Sequence, residues 1–241
     1  MKTPYGLEII ENCSSCYCRK SGFFCAFSSP VVDSLDHASH HSTMPAGAIL
    51  FVEGQVSRGI FVLCAGKVKL STASREGKVL ILKTVEAGEV LGLSAAVSGA
   101  SYEMTAETAT PCQLNFIGRK DLLEMLQAHS EVGVHATQSL SGDFQSAYRD
   151  IRDLVMARSS EGKLARLLLS CSPLRDKSNG RDPEELHLKS VMTHEEMAQR
   201  IGSSRETVTR LLTELKRKQL IRLDGATLVI RSRTALETLA V

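Results

Sequence analysis

The chain has 241 residues, enough for two modest domains, and a hydrophobic fraction of 43% with a mean hydropathy of −0.04 marks an ordinary water-soluble composition. No run approaches the roughly 18 apolar residues a membrane-spanning helix needs. The start, Met1–Gly6, lacks the apolar stretch of a secretory signal, so a cytoplasmic protein is expected. The net charge is +2, yet from His187 onward ten Lys/Arg stand against six Asp/Glu, which gives +4 there and −2 for the rest. A basic C-terminal part fits an electrostatic footprint for nucleic acid; a solvated charged surface has the same composition.

Seven cysteines are present, and four of them, Cys13, Cys16, Cys18 and Cys25, crowd residues 1–30. In a reducing cytosol such a cluster is rarely a disulfide framework, which leaves metal binding, cluster binding or redox sensing. After a stretch from residue 31 that begins helical and turns polar at His40–Ser42, the grammar changes at Met44. Short apolar runs follow at Ala48–Val52, Ile60–Cys64, Lys67–Ser71 and Val79–Leu82, with glycines between them, and the region closes near Cys112–Ile117. Regular short strands punctuated by glycine predict an antiparallel sandwich or roll.

Residues 129–157 read as one long helix. Thr137, Leu140, Phe144, Ala147, Ile151 and Leu154 are spaced 3, 4, 3, 4 and 3, a heptad seam. A core-facing helix shows a wider apolar stripe, so the narrow seam favours contact between two copies of the chain over packing in one core. A further helix, Ser160–Cys171, carries Leu164, Leu167 and Leu168, and a polar loop, Pro173–Glu185, precedes the last unit. Cys64 and Cys171 read as core cysteines.

The segment Thr193–Gln219 is the most informative. Thr193 with Glu196 forms a capping box, Met197, Ala198 and Ile201 give a buried side, and Gly202 ends the helix. Ser203 or Ser204 starts a second helix with an apolar stripe of Val208, Leu211, Leu212 and Leu215. Arg205, Glu206, Thr209 and Arg210 gather on the opposite face in the first two turns. In a helix-turn-helix those turns meet base edges, where arginine pairs with guanine and glutamate accepts from cytosine. An exposed helix with a Glu206–Arg210 ion pair is the bland alternative. Leu220–Leu223 and Ala226–Ile230 flank Asp224–Gly225, a hairpin signal for a wing, and Lys216, Arg217, Lys218 and Arg222 would face phosphates.

The run Gly202-Ser203-Ser204-Arg205-Glu206-Thr207-Val208-Thr209-Arg210-Leu211-Leu212 closely resembles the recognition segment of CRP/FNR-family transcription regulators. The order of parts over roughly residues 31–241 agrees with it. The resemblance implies an α+β fold with an antiparallel, cyclic-nucleotide-binding-like β-roll at 31–128, a dimerisation helix at 129–157 and a winged helix-turn-helix at 158–241. It implies a homodimer and no enzyme. DNA contacts would come from Ser204, Arg205, Glu206, Thr209, Arg210, Lys216, Arg217 and Lys218 on a palindromic operator with TGTGA-like half-sites, and RNA polymerase would be a partner. Arg205, Glu206 and Arg210 together resemble the CRP side of the family.

Two features of the input side bear on the signal. Cyclic-nucleotide-binding members carry a Gly-Glu followed by a phosphate-neutralising arginine. Here Gly88-Glu89 is present, but Gly99–Met104 contains no arginine and Glu103 would repel a phosphate, so cAMP is not the expected ligand. FNR-type sensors hold an iron–sulfur cluster on three N-terminal cysteines and one in the roll. By that resemblance Cys13, Cys16, Cys25 and Cys112 would hold a 4Fe–4S cluster in the sensor segment 1–30, with zinc or thiol redox chemistry as alternatives for the same thiols. The spacing departs from the FNR pattern between Cys16 and Cys25.

Overall fold

The computed structural model describes the chain except residues 1–3, 8, 11, 12, 14, 15, 17–25, 157, 158, 172–185, 189–191, 225, 226 and 241. Cys18, Cys25, the Pro173–Glu185 loop and the tip of the wing therefore lie outside the described residues. The chain divides into two compact units, one of residues 1–73 with 81–145 and one of residues 74–80 with 146–241.

The first unit opens with helix α1 (Ser29–Ala38), whose Pro30 sits where a missing N–H costs nothing. Eight strands follow: β1 (Ser39–Met44), β2 (Ile49–Phe51), β3 (Gly59–Ala65), β4 (Lys67–Ala73), β5 (Val79–Glu86), β6 (Val90–Leu91), β7 (Thr105–Thr108) and β8 (Cys112–Gly118). A short helix α2 (Leu93–Ser98) interrupts them between β6 and β7. They form two four-stranded sheets, ordered β1-β8-β3-β6 and β2-β7-β4-β5, the antiparallel roll the glycine spacing predicts.

One face of the first sheet meets the second sheet over Phe51, Leu63, Leu70, Leu91, Tyr102, Cys112 and Leu114. Its other face is covered by helices α1, α3 (Arg119–Ala128) and the start of α4 (Ser130–Met156), through Val32, Leu35, Ile60, Ile117, Leu122, Met125 and Val132. Strand β8 shows how the two layers divide. Its residues alternate with period two, so Cys112, Leu114 and Phe116 face the roll interior while Gln113, Asn115 and Ile117 face the helix side.

Strand β1 is a departure from the sequence expectation. Ser39–Met44 carries few apolar residues, yet it pairs with β8 along its whole length, from Ser39 opposite Ile117 to Met44 opposite Cys112. On α4, Leu140 also departs from its expected place. It packs against the helix-side core of the roll, whereas Val134, Thr137, Ser141, Phe144, Tyr148 and Ile151 are exposed at the same 3–4 spacing. Phe144 (63% exposed) and Ile151 (59%), both of the predicted seam, are exposed, as are Val134 and Tyr148 beside it.

The second unit holds α5 (Ser160–Ser170), β9 (Leu186–Leu188), α6 (His194–Ile201), α7 (Arg205–Arg217), β10 (Ile221–Asp224), β11 (Thr227–Ile230) and α8 (Arg233–Leu239). Leu164, Leu168, Met197, Ile201, Val208, Leu211, Leu212, Leu215, Ile221, Leu228 and Leu236 share one core. The three-stranded sheet β10-β11-β9 has Asp224 opposite Thr227, so Asp224, read as part of the turn, is the last residue of β10. Cys64 is buried in the roll as expected. Cys171 is not a core residue: α5 ends at Ser170, and Cys171 caps it in an exposed position.

Candidate functional site

The helix pair α6–α7 is set by local chemistry. Thr193 Oγ1 accepts from the Glu196 N–H at 3.1 Å and the Glu196 carboxylate accepts from the Thr193 N–H at 2.9 Å, a complete capping box. Gly202 then adopts φ +65°, the left-handed conformation that lets the chain turn within two residues. Ser204 caps α7 by accepting from the Thr207 N–H at 3.2 Å. With Val208, Leu211, Leu212 and Leu215 buried on one side, the opposite side of α7 faces solvent with Arg205, Glu206, Thr209 and Arg210.

These four side chains are not equivalent. Glu206 has its pKa lowered by its own backbone N–H and by the Ser204 hydroxyl, with Arg205 adding favourable charge, so it is an ionised acceptor. Arg210 pairs with Glu214 at 3.3 Å and not with Glu206, which leaves Glu206 out of the expected i,i+4 pair. Thr209 is a structural pin. Its hydroxyl donates to the Arg205 carbonyl at 2.9 Å and accepts from His194 Nδ1 at 2.9 Å, tying the start of α6 to the outer face of α7. His194 carries no sequence signal beyond its place after the cap. Lys216 and Arg217 are exposed in the last turn of α7. Lys218, expected on phosphates, instead caps α7 and pairs with Glu161 of α5 at 2.8 Å.

In the roll, Gly88-Glu89, the pair read for a cyclic nucleotide, is engaged by its own surroundings. Glu89 lies in the turn between β5 and β6. Its carboxylate accepts from the Glu86 N–H at 2.7 Å and pairs with Lys83 at 2.9 Å. Where α2 begins, the residue after the left-handed Gly92 is Leu93, whose side chain is buried in the helix-side core. Glu103 accepts from the Ser94 hydroxyl at 2.8 Å and Arg119 Nε donates to the Ala96 carbonyl at 2.8 Å. Lys83 also reaches Asp143 of α4 at 3.0 Å. Burial pulls the Lys83 pKa down, but hydrogen bonds and charge from Glu89 and Asp143 outweigh it, and the net pKa is raised.

Of the four cysteines predicted to ligate a cluster, Cys25 lies outside the described residues, and Cys112 is held apart from Cys13. Cys112 faces the roll interior and is fully buried, with Sγ against the Lys67 and Thr110 carbonyls at 3.3 and 3.1 Å. Burial pushes its thiol pKa up, against the thiolate a metal requires. The N-terminal segment docks on the opposite face of β8. Ile10 exchanges two hydrogen bonds with the Gln113 amide, at 2.8 and 2.6 Å, and the Cys13 N–H donates to both oxygens of Asp36 at 3.2 Å. Asn115 Nδ2 points at Cys13 Sγ at 3.8 Å, while its Oδ1 accepts from His41 Nδ1 at 2.8 Å. Cys13 and Cys112 thus lie on opposite faces of one strand, and the four-cysteine set including Cys112 does not fit a 4Fe–4S cluster or a zinc ion. Among the described residues no three His, Cys, Asp or Glu side chains converge as metal ligands.

Residues 42–129 match the cyclic nucleotide-binding domain family, and residues 162–239 match the Crp-like helix-turn-helix domain family. The chain belongs to the CRP/FNR family of transcription regulators. It is 27% identical over 202 residues to the cAMP-activated global transcriptional regulator CRP of Haemophilus influenzae, covering 83% of this chain and 88% of that protein. A CRP/FNR-family regulator from Thermus thermophilus has a similar structure, with a TM-score of 0.60 and 28% identity, over 83% of this chain and 98% of that one. The c-di-GMP-responsive regulator CLP of Xanthomonas campestris shares the fold with a TM-score of 0.72 at 20% identity, over 85% of this chain and all of that one. As a CRP/FNR regulator the chain is a DNA-binding protein whose helix-turn-helix is the α6–α7 pair.

Proposed function

We propose that this CRP/FNR regulator acts as a homodimer that reads a palindromic operator of two TGTGA-like half-sites, about one helical turn apart. The observation that carries the reading is the outer face of α7. Arg205, Glu206 and Arg210 are exposed over its first two turns, above a fully buried leucine stripe. Each arginine offers a planar pair of donors to guanine O6 and N7, and the ionised Glu206 accepts from a cytosine amino group. Thr209, held by His194, sets the spacing of the readers and makes no base contact of its own. Ser204, Lys216 and Arg217 contact phosphates, which fix register without reading sequence. Dimerisation uses the exposed stripe of α4 centred on Phe144 and Ile151, and RNA polymerase is the downstream partner.

The signal does not enter as cAMP. A leucine at the start of α2, an acidic residue at 103 and the absence of an arginine in Gly99–Met104 together leave a cyclic phosphate without a cation. The input element is the cysteine segment docked on β8, and its chemistry is redox. Fluorescence anisotropy with a duplex carrying the palindrome tests the output. Tight, salt-sensitive binding that a scrambled duplex does not reproduce is the expected result, and equal affinity for both would remove the base-reading role of α7. Calorimetry with cAMP tests the input, and a micromolar dissociation constant would contradict it.

A further inference from the structure

Gln113 and Asn115 are amides on a central strand, only 2% and 3% exposed, and both spend their hydrogen bonds on their surroundings in an unusual way. Gln113 pairs with the Ile10 backbone as a neighbouring strand would, and Asn115 spans His41 and the Cys13 sulfur. With Asp36 on the Cys13 N–H, three side chains hold Ile10 and Cys13 against the roll. Lifting the segment would leave buried donors and acceptors unsatisfied, so its seating is coupled to the state of β8.

The same segment brings two thiols into reach of each other. Cys13 is half-buried and Cys16 is 8% exposed, packed against Ile10 and Ala87. The Cys16 N–H donates to the Cys13 carbonyl at 3.3 Å, an i to i+3 bond. Such a turn holds its end Cα atoms within about 7 Å, and a disulfide spans Cα atoms about 4.4–6.8 Å apart. The Asn115 amide aimed at the Cys13 sulfur fixes where that sulfur points.

We propose that Cys13 and Cys16 form a redox-active dithiol, oxidised to a disulfide by a hydroperoxide, and that Asn115 transmits its state to the roll. The Cys13 sulfur attacks the peroxide, the O–O bond breaks, and a sulfenic acid and one water form. The Cys16 sulfur then attacks the sulfenic sulfur, the S–O bond breaks, and a second water leaves. With hydrogen peroxide, two thiols lose two protons and two electrons, and the oxidant becomes two waters. As the Cys13 sulfur turns to Cys16 it withdraws from Asn115, whose other amide atom holds His41 of β1. Strand β8 then runs directly into α3 and α4, the helix with the exposed stripe. Cys64 and Cys112, buried in the roll, take no part.

The inference rests on the DNA-binding reading only for its final consequence. Full-length protein purified without oxygen is analysed for iron, sulfide and zinc, then treated with one equivalent of hydrogen peroxide. The expected result is metal-free protein that loses two thiols per chain, a non-reduced digest linking Cys13 to Cys16, and recovery with dithiothreitol. Cys13→Ser and Cys16→Ser each abolish the linkage, Asn115→Leu slows thiol loss, and oxidation changes operator affinity about tenfold. Stoichiometric metal or cluster on these cysteines, a linkage to Cys18 or Cys25, unchanged thiols, or oxidised protein with unaltered operator affinity would each overturn it. The wild-type digest keeps the test decisive even if Asn115→Leu fails to fold. Reduced protein that binds no palindrome would count against the DNA-binding reading and leave the thiol chemistry standing.

Discussion

Helices α2 and α7 both follow a left-handed glycine, yet they present opposite chemistry to solvent. Helix α7 buries its leucines and shows Arg205, Glu206 and Arg210 to solvent; α2 starts on a buried leucine and has Glu103 tied to its Ser94. The polar, arginine-bearing face of α7 suits the helix-turn-helix domain it belongs to, while α2 carries no cation of its own. A regulator of this architecture can keep its output chemistry and take its input from elsewhere, because the two surfaces belong to separate cores.

The largest expected effect comes from breaking the element that serves both surfaces. Phe144→Asp with Ile151→Asp places charges on the exposed stripe of α4. Sedimentation should show monomers, and operator affinity should fall about 100-fold or more as two linked half-site contacts become one. An unchanged dimer would remove the stripe from the account.

Next in size are the readers themselves. Arg205→Ala and Arg210→Ala should each cost about 1–3 kcal/mol of operator binding and relax preference at one guanine. Lys216→Ala should weaken binding to all sequences alike and flatten the dependence on salt by about one phosphate. Titrations at several salt concentrations separate the two behaviours. Lys218→Ala should leave the salt slope unaltered, since Glu161 already holds that ammonium.

The remaining effects are smaller. Thr193→Ala removes the capping box and should cost about 1 kcal/mol of stability in chemical denaturation. Lys83→Met cuts the ties to Glu89 and Asp143, which are partly solvent-exposed, and should cost no more than about 1 kcal/mol. A much larger loss of operator affinity with Lys83→Met than of stability would show that this tie carries signal from roll to helix.

The sequence was most legible where one residue has one job. Thr193, Glu196, Gly202 and Ser204 mark helix ends by side-chain chemistry, and the leucine spacing of α7 fixes which face is left for DNA. It was least legible where polar residues are buried. Ser39–Met44 shows no apolar alternation, and only pairing with β8 makes it a strand. Gln113 and Asn115 give β8 the alternation of a strand with one solvated face, yet both are buried, bonded to Ile10 and Cys13, while Cys112 faces the other way. Glu89 matched a two-residue pattern, but its carboxylate is spent on the Glu86 N–H and on Lys83, which the pattern does not reveal. Leu140 fitted the heptad count, but the roll has helix-side core to fill at that point and takes it.

The central claim is that the outer face of α7 reads a symmetric DNA sequence. Selection of binding sites from a random duplex pool by the full-length protein tests it most directly. The account predicts enrichment of a palindrome with TGTGA-like half-sites, and loss of the corresponding guanine and cytosine preferences with Arg205→Ala, Arg210→Ala and Glu206→Gln. Enrichment of a non-palindromic motif, or of the same palindrome by all three variants, would contradict it.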